Sequence, residues 1–168
     1  MKTATIIAMT FLSIQANGAC QLTVAGDEHS LNHIWVFEQT NRFKPEKMDW
    51  VIFCLQEPLA ESQRDPDKIN SGINFNDLYG IKVVMEPQTQ KISEVRLSWH
   101  ENTIAMISGV LGNVSFNGEI ISNHINGDMQ STEPLSAQQS TLINDEMVSE
   151  NRVWGFSIQL DHQVQMNQ

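Results

Sequence analysis

Basic residues are scarce in this chain, which has ten Lys and Arg against twenty Asp and Glu and a formal net charge of −10 over 168 residues. A protein that binds nucleic acid needs a basic footprint for the phosphates, and anionic membrane surfaces attract basic segments for the same reason. The composition therefore disfavours both kinds of partner. An acidic surface keeps a protein soluble, and it also steers basic proteins and cations towards itself.

The chain also lacks the short motifs that mark catalytic and cofactor sites. It contains no Gly-rich phosphate loop, no His-Glu-x-x-His, no Gly-x-Ser-x-Gly and no Cys-x-x-Cys. The nearest metal-like group is Asp27, Glu28, His29 and His33. In a strand, His29 and His33 would stand roughly 13 Å apart, so we interpret the group as a turn that leads into a strand. We expect no metal, no cofactor and no catalytic residue, which favours binding over catalysis.

No apolar run is long enough for a membrane span, which needs about 20 residues. The mostly apolar residues 3–14 follow a single lysine and precede small residues at Ala16 and Gly18. This pattern predicts a secretory signal peptide over residues 1–18, with a periplasmic or extracellular protein as the product. Residues 19–168 are then expected to form one β-rich domain, with a net charge of about −11 after the loss of one lysine.

Only two cysteines are present, Cys20 and Cys54. In an exported protein they predict one disulfide, because the compartments outside the cytosol are oxidising. Closing the loop of about 34 residues between them would stabilise the fold by roughly 3 kcal/mol. The alternative is a lipid anchor on Cys20, but the polar Asn17 is a poor match to the residue that usually stands three positions before a lipidated cysteine.

Patterns typical of strands fill most of the chain, whereas helical periodicity is almost absent. The expected strands are 21–25, 31–39, 49–56, 81–85, 92–99, 110–116, 119–125, 129–132 and 153–164. Short strands at close spacing with little helix predict an all-β, mainly antiparallel fold. We expect a β-sandwich or partly open barrel of about 8–9 strands with at most one or two short helices.

Some strands carry more specific signals. Residues 50–55 are apolar throughout, as in a central strand covered on both faces. In residues 153–164, Trp154, Phe156, Ile158 and Leu160 alternate with small or polar residues and should point inward. In residues 92–99, Glu94, Arg96 and Ser98 should form a solvent-facing side.

Connections are less clearly encoded than strands. Asn117-Gly118 is the dipeptide of a tight hairpin turn, and Asn126-Gly127 indicates either another turn or a bulge. Residues 57–76 are polar and suit a loop or a short helix, with one or two helical turns around 73–79. We expect residues 133–151 to form a long exposed connection, with a frayed helix at 142–147.

Three functional hypotheses follow. The first is an exported, non-catalytic binding protein, such as an inhibitor or immunity protein that neutralises a basic enzyme. The alternative is a binder of small apolar ligands among the four tryptophans Trp35, Trp50, Trp99 and Trp154. The third is a hydrolase that uses carboxylates. Under the first hypothesis, acidic residues of two polar segments contact the partner: Glu57, Glu61, Asp65, Asp67, Glu133, Asp145, Glu146 and Glu150.

Overall fold

The chain forms two antiparallel β-sheets that pack face to face. The computed structural model describes residues 19–41, 43–60, 78–99, 104–107, 111–143 and 146–166, and for 104–107, 111, 137–143, 146–150 and 152 it describes the backbone alone. Among these residues there are eleven strands, and the helical structure is one 3₁₀ turn at Leu111–Asn113. The strands are β1 Ala19–Val24, β2 Asp27–Leu31, β3 His33–Thr40, β4 Met48–Leu55, β5 Gly80–Glu86, β6 Lys91–Ser98, β7 Ile104–Ile107, β8 Val114–Ile121, β9 His124–Ser131, β10 Leu135–Ile143 and β11 Glu146–Gln163.

Sheet 1 has the strand order β2-β1-β11-β9-β8, and β10 also pairs with β11. Sheet 2 is a meander in which neighbours in sequence are neighbours in space, in the order β3-β4-β5-β6-β7. The all-β antiparallel fold is therefore confirmed, with more strands than the sequence predicted. One reason is that the turn expected at Asp27–His29 is wrong, because these residues belong to strand β2 of sheet 1. The chain passes at Asn32 into β3 of sheet 2, which corresponds to the expected strand 31–39.

The main core lies between the two sheets. The inward residues of β11 alternate as expected, since Trp154, Phe156, Ile158 and Leu160 are all buried there. The predicted disulfide is present, and it joins Cys20 in β1 to Cys54 in β4 with a Cα–Cα distance of 6.5 Å. It therefore links the two sheets through the core.

A second apolar cluster lies on the outer face of sheet 2, which confirms that β4 is covered on both sides. Its buried members are Phe37, Val51, Phe53, Leu55, Leu59 and Val84. Leu59 and the partly buried Leu78 come from the two described ends of the β4–β5 connection. This packing corrects the expected solvent-facing side of β6 at Ser98, whereas Glu94 and Arg96 are partly exposed. Ser98 is 2 % exposed and the neighbouring Lys82 of β5 is 4 % exposed, because this face of the sheet is largely covered.

The β8–β9 hairpin turns later than predicted. Asn117-Gly118 lies within β8, and the turn falls at Ser122 and Asn123, between the paired Ile121 and His124. A turn at Asn117-Gly118 would pair Phe116 with Glu119, whereas the observed register pairs Phe116 with Met129 on the core side. Register follows the buried face rather than the local turn signal.

Asn126-Gly127 is neither a turn nor a break in β9. Gly127 pairs with Gly118 across the two strands, and it has a positive φ of 145°. A Cβ added to Gly118 would lie 2.7 Å from the Gly127 Cα. The two Asn-Gly pairs therefore permit the close approach of two strands in mid-hairpin.

The expected exposed connection at 133–151 is instead a β-hairpin. β10 pairs with the first half of β11, from Leu135 opposite Trp154 to Ile143 opposite Glu146. The helix expected at 142–147 is therefore wrong where the structure describes that segment. Pairing with a neighbouring strand satisfies the backbone N–H and C=O groups of a polar segment, and it requires no apolar pattern in the side chains. The sequence of this segment therefore did not indicate a strand. The helical turns expected around 73–79 lie mostly outside the described residues, and Leu78 and Tyr79 are not helical.

Candidate functional site

The outer face of sheet 1 is largely polar, and the large hydrophobic side chains described as exposed in its strands are Ile121 and Val153. One cross-strand row follows the register through five strands, and it consists of Ser30, Gln21, Ser157, Gln130 and Ser115. Gln21 donates from Nε2 to the Ser30 Oγ at 3.2 Å. We call these five residues the polar row. Their core-facing neighbours are apolar, so strand alternation places amides and hydroxyls on the opposite, outer side.

Two adjoining open hollows flank the polar row and share Gln21, Gln130 and Ser157. The first, of about 460 Å³, is the Asp128 hollow, and its lining also includes Asn117 and Gln159. The second, of about 380 Å³, is the Glu28 hollow. Its lining also includes Thr23, Ser131, Gly155 and Phe156. Each hollow therefore holds one carboxylate among neutral polar groups.

The chemistry of these hollows suits ligands that donate hydrogen bonds. Carboxylates accept only, and amide and hydroxyl oxygens add further acceptors. Ammonium and guanidinium groups are donors without acceptors, so they match such a lining.

Charge divides sharply between the two halves of the sandwich. Among the side chains that the structure describes, the sheet 1 half has six carboxylates and no Lys or Arg. These acids are Asp27, Glu28, Glu119, Asp128, Glu133 and Asp161. The sheet 2 half also has six carboxylates, but it contains all five described cations: Lys44, Lys47, Lys82, Lys91 and Arg96. Among the described side chains, sheet 1 is therefore the acidic side, and Arg152 in its strand β11 is described in the backbone alone.

Several cations of sheet 2 are paired within the fold. Lys82 Nζ lies 3.4 Å from Glu94 Oε1, and Arg96 Nε lies 2.5 Å from the same oxygen. Lys47 forms an ion pair with Glu86, and hydrogen bonds from Lys47 and Thr89 lower the pKa of Glu86. These pairs neutralise two of the six described carboxylates of this half, Glu86 and Glu94.

One histidine–carboxylate pair stands at the end of the sheet 1 outer face. His124 Nε2 lies 2.8 Å from Asp161 Oδ1, and both side chains are substantially exposed. Next to them, burial lowers the pKa of His162, the nearby His124 lowers it further, and Asp161 opposes the shift. An exposed pair of this kind is well solvated, so it contributes to surface charge more than to stability.

Of the acidic residues that the sequence singled out, the structure describes two with their side chains, Glu57 and Glu133, and two in their backbone alone, Glu146 and Glu150. Glu57 is exposed just after β4, on the sheet 2 side, and Glu133 is exposed between β9 and β10. Glu146 and Glu150 lie in β11, opposite Ile143 and Gln139. Glu61, Asp65, Asp67 and Asp145 lie outside the described residues. The second predicted segment thus belongs to the acidic side, and the described residue of the first does not.

The tryptophans and the metal-like group have structural surroundings. Trp50, Trp99 and Trp154 are buried in the main core, and Trp35 packs against the outer cluster of sheet 2. His29, in β2, contacts Trp99 with ring centroids 4.5 Å apart and ring planes tilted by 45°. Within the ranges that the structure describes, no three His, Cys, Asp or Glu residues lie together as a metal site would require.

The outer face of sheet 1 was missed by sequence reasoning. Its signal is present in β9, where Asn126, Asp128 and Gln130 alternate with the buried Ile125 and Met129. Alternation shows that such residues face outward, but it does not show which strands lie side by side. The polar row becomes visible only when β2, β1, β11, β9 and β8 are placed in order.

Comparison with known proteins found no matching family model, no matching curated protein and no matching solved structure. In the part of the chain that the structure describes, no helix has the length and apolar character needed to cross a membrane.

Proposed function

We propose that this chain is an exported, non-catalytic binding protein that recognises a basic protein, as an inhibitor or immunity protein does with a basic enzyme. The observation that carries the proposal is the charge division, with six carboxylates and no described Lys or Arg side chain in the sheet 1 half. A surface of one sign attracts partners of the other sign and orients them during approach.

Export is supported by the disulfide and by the first eighteen residues. Disulfides persist in oxidising compartments and are rare in the cytosol, so the Cys20–Cys54 bond suggests an oxidising environment. The same bond occupies the sulfur that a lipid anchor on Cys20 would need. The apolar run after a single lysine, followed by small residues, supports a cleaved signal peptide.

The partner is first identified by capture from the envelope fraction of the host and mass spectrometry. Association of the purified pair is then measured at several salt concentrations. We expect the association rate to fall steeply as salt rises, because exposed charges act over about 10 Å at 0.1 M ionic strength. An association rate that is indifferent to salt would contradict the proposal.

A charge-matched pair of variants locates the effect. The sheet 1 variant carries Asp27→Asn, Glu119→Gln and Glu133→Gln, and the control carries Glu38→Gln, Glu46→Gln and Glu57→Gln in the sheet 2 half. We expect the sheet 1 variant to slow association about tenfold at low salt and the control to change it much less. Equal effects would show that net charge alone, rather than the acidic side, attracts the partner.

A further inference from the structure

We propose that the Asp128 and Glu28 hollows are two subsites, each of which takes one basic side chain of the partner, with the two side chains roughly 20 Å apart. This inference rests on the proposed function and adds to it the contact face and the spacing that the partner must present. The occupant is a protein surface with two Arg or Lys side chains.

The spacing follows from the sheet register. Glu28 in β2 and Asp128 in β9 are three strands apart in the order β2-β1-β11-β9. In the register, Glu28 pairs with Thr23, which pairs with Gly155 of β11. Asp128 pairs with Gln159, which lies four residues further along β11. Neighbouring strands are about 4.8 Å apart and residues about 3.3 Å apart, which gives roughly 14 Å across and 13 Å along the sheet.

Both hollows offer the acceptors that a basic group needs. In the first, the Asp128 carboxylate stands among the side chains of Asn117, Gln130 and Gln159. In the second, Gly155 leaves space in the hollow beside Glu28, because it has no side chain and an added Cβ would lie 3.0 Å from the Ser131 Oγ. Among the side chains that the structure describes, no Lys or Arg pairs with either carboxylate, and Arg152 of β11 is described in its backbone alone.

The polar row lies between the two subsites and suits the segment that links the basic side chains. Its serines and glutamines both donate and accept hydrogen bonds, as the paired Gln21 and Ser30 already do. A peptide backbone crossing the row would find partners for its N–H and C=O groups. The face is therefore complementary to a loop with basic residues at two separated positions.

The test uses the peptide acetyl-Arg-(Pro)5-Arg-amide and the ¹⁵N-labelled protein, residues 19–168 with the disulfide intact. Pentaproline is a stiff spacer with a rise of about 3.1 Å per residue, so it holds the two arginines roughly 19 Å apart. Arg-Arg dipeptide amide is too short to span the subsites, and Gln-(Pro)5-Gln is the uncharged control. Amide chemical shifts recorded during titration report both the affinity and the location.

We expect the shifts to concentrate at the residues that line the two hollows, with an affinity about tenfold higher than for the dipeptide, because the second contact is intramolecular. Asp128→Asn and Glu28→Gln should each reduce the affinity to that of the dipeptide. Glu119→Gln removes the same charge from the same face outside both hollows, and it should change the affinity less than twofold. All three side chains are exposed, so the variants should fold.

The inference is overturned if the shifts fall elsewhere, if no shift occurs, or if Glu119→Gln weakens binding as much as Asp128→Asn. These outcomes do not contradict the proposed function. That proposal stands if association with the captured partner still depends on salt and is slowed in the sheet 1 variant, which carries the changes at Asp27, Glu119 and Glu133. Conversely, a salt-independent partner contradicts the proposed function even if the peptide binds in both hollows.

Discussion

Lys82 is a charged residue in an almost fully buried position. It lies in β5, opposite Phe53 on one side and Arg96 on the other, and it is 4 % exposed. Burial lowers the pKa of Lys82, Glu94 opposes the shift, and the positive charge of Arg96 adds to it. The carboxylate of Glu94 therefore compensates the charges of both Lys82 and Arg96.

We predict different effects on the free energy of unfolding when the charge of Glu94 or the charge of Lys82 is removed. Glu94→Gln leaves Lys82 and Arg96 without a counter-charge, and it should lower the free energy of unfolding by about 1–3 kcal/mol. Lys82→Met fills a similar volume without a desolvation cost, so its stability should lie within about 1 kcal/mol of wild type or above it. Urea denaturation of both variants measures the difference. A larger loss from Lys82→Met than from Glu94→Gln would show that the lysine charge itself stabilises the sheet.

His162 makes stability depend on pH. It pairs with the buried Ile125, and the surrounding burial lowers the pKa of its imidazole below the ordinary 6.5. Above pH 6.5 the imidazole is neutral in both the folded and the unfolded state. Below that pH the unfolded state binds the proton more readily, so stability falls as the pH decreases towards the folded-state pKa.

A His162→Gln variant isolates this contribution. We expect the wild-type protein to lose stability relative to the variant as the pH falls from 7 to 5, measured from urea midpoints. The difference in stability between the two proteins at pH 8, where the His162 imidazole is uncharged in the folded and the unfolded state, measures the effect of the substitution on packing. A difference that stays constant from pH 8 to pH 5 would exclude His162 as the titrating group.

At the scale of elements, the β8–β9 hairpin shows how a buried face overrules a turn signal. Its register brings Gly118 and Gly127 face to face, where their backbones approach closely. Gly127 also has a φ that L side chains rarely adopt. The register therefore depends on two glycines at positions that have no role in turning the chain.

Gly127→Ala should lower the free energy of unfolding by more than about 1 kcal/mol, because alanine is strained at positive φ and its Cβ would meet β8. The matched control is Gly112→Ala, since a Cβ at Gly112 has nothing within 4 Å. That control should stay within about 0.5 kcal/mol of wild type. If both variants were equally stable, the close approach of Gly118 and Gly127 would not limit the stability of the hairpin.

The strands differ in how well they could be predicted. β4 and the second half of β11 were found because burial on both faces, or on alternate positions, leaves a pattern in the residues themselves. β10 was missed because most of its residues are small or polar, and its pairing with β11 joins backbone groups, which leaves no such pattern. β2 was missed because its polar residues resemble a turn, and the passage at Asn32 from sheet 1 to sheet 2 is a tertiary event that local periodicity does not record.

At the scale of the whole molecule, the candidate site depends on topology more than on any motif. Acidic and basic residues are interspersed along the sequence, so the charge count predicted an acidic protein but not an acidic side. Strands β3 to β7 carry the described cations into sheet 2, and the remaining strands form sheet 1. Composition therefore predicted the sign of the net charge, and the strand order shows on which sheet the described carboxylates lie without a described cation.

The disulfide links these two halves and supplies the last prediction. Cys20 and Cys54 are the only cysteines in the chain, and their bond spans the core from sheet 1 to sheet 2 across 34 residues of sequence. Because a cross-link mainly restricts the unfolded chain, the Cys20→Ala, Cys54→Ala double variant should lose about 3 kcal/mol. Its unfolded state should also be more extended, so the slope of unfolding free energy against urea should rise.

Reduction of the wild-type protein in dithiothreitol provides the control, because it breaks the same bond without truncating the two side chains. A loss seen in the double variant but not after verified reduction would come from cavities left by the truncated side chains, not from the cross-link. A loss below about 1 kcal/mol in both cases would mean that core packing alone holds the sheets together. In that case the acidic face would keep its geometry in a reducing compartment, and the disulfide would no longer be needed for binding.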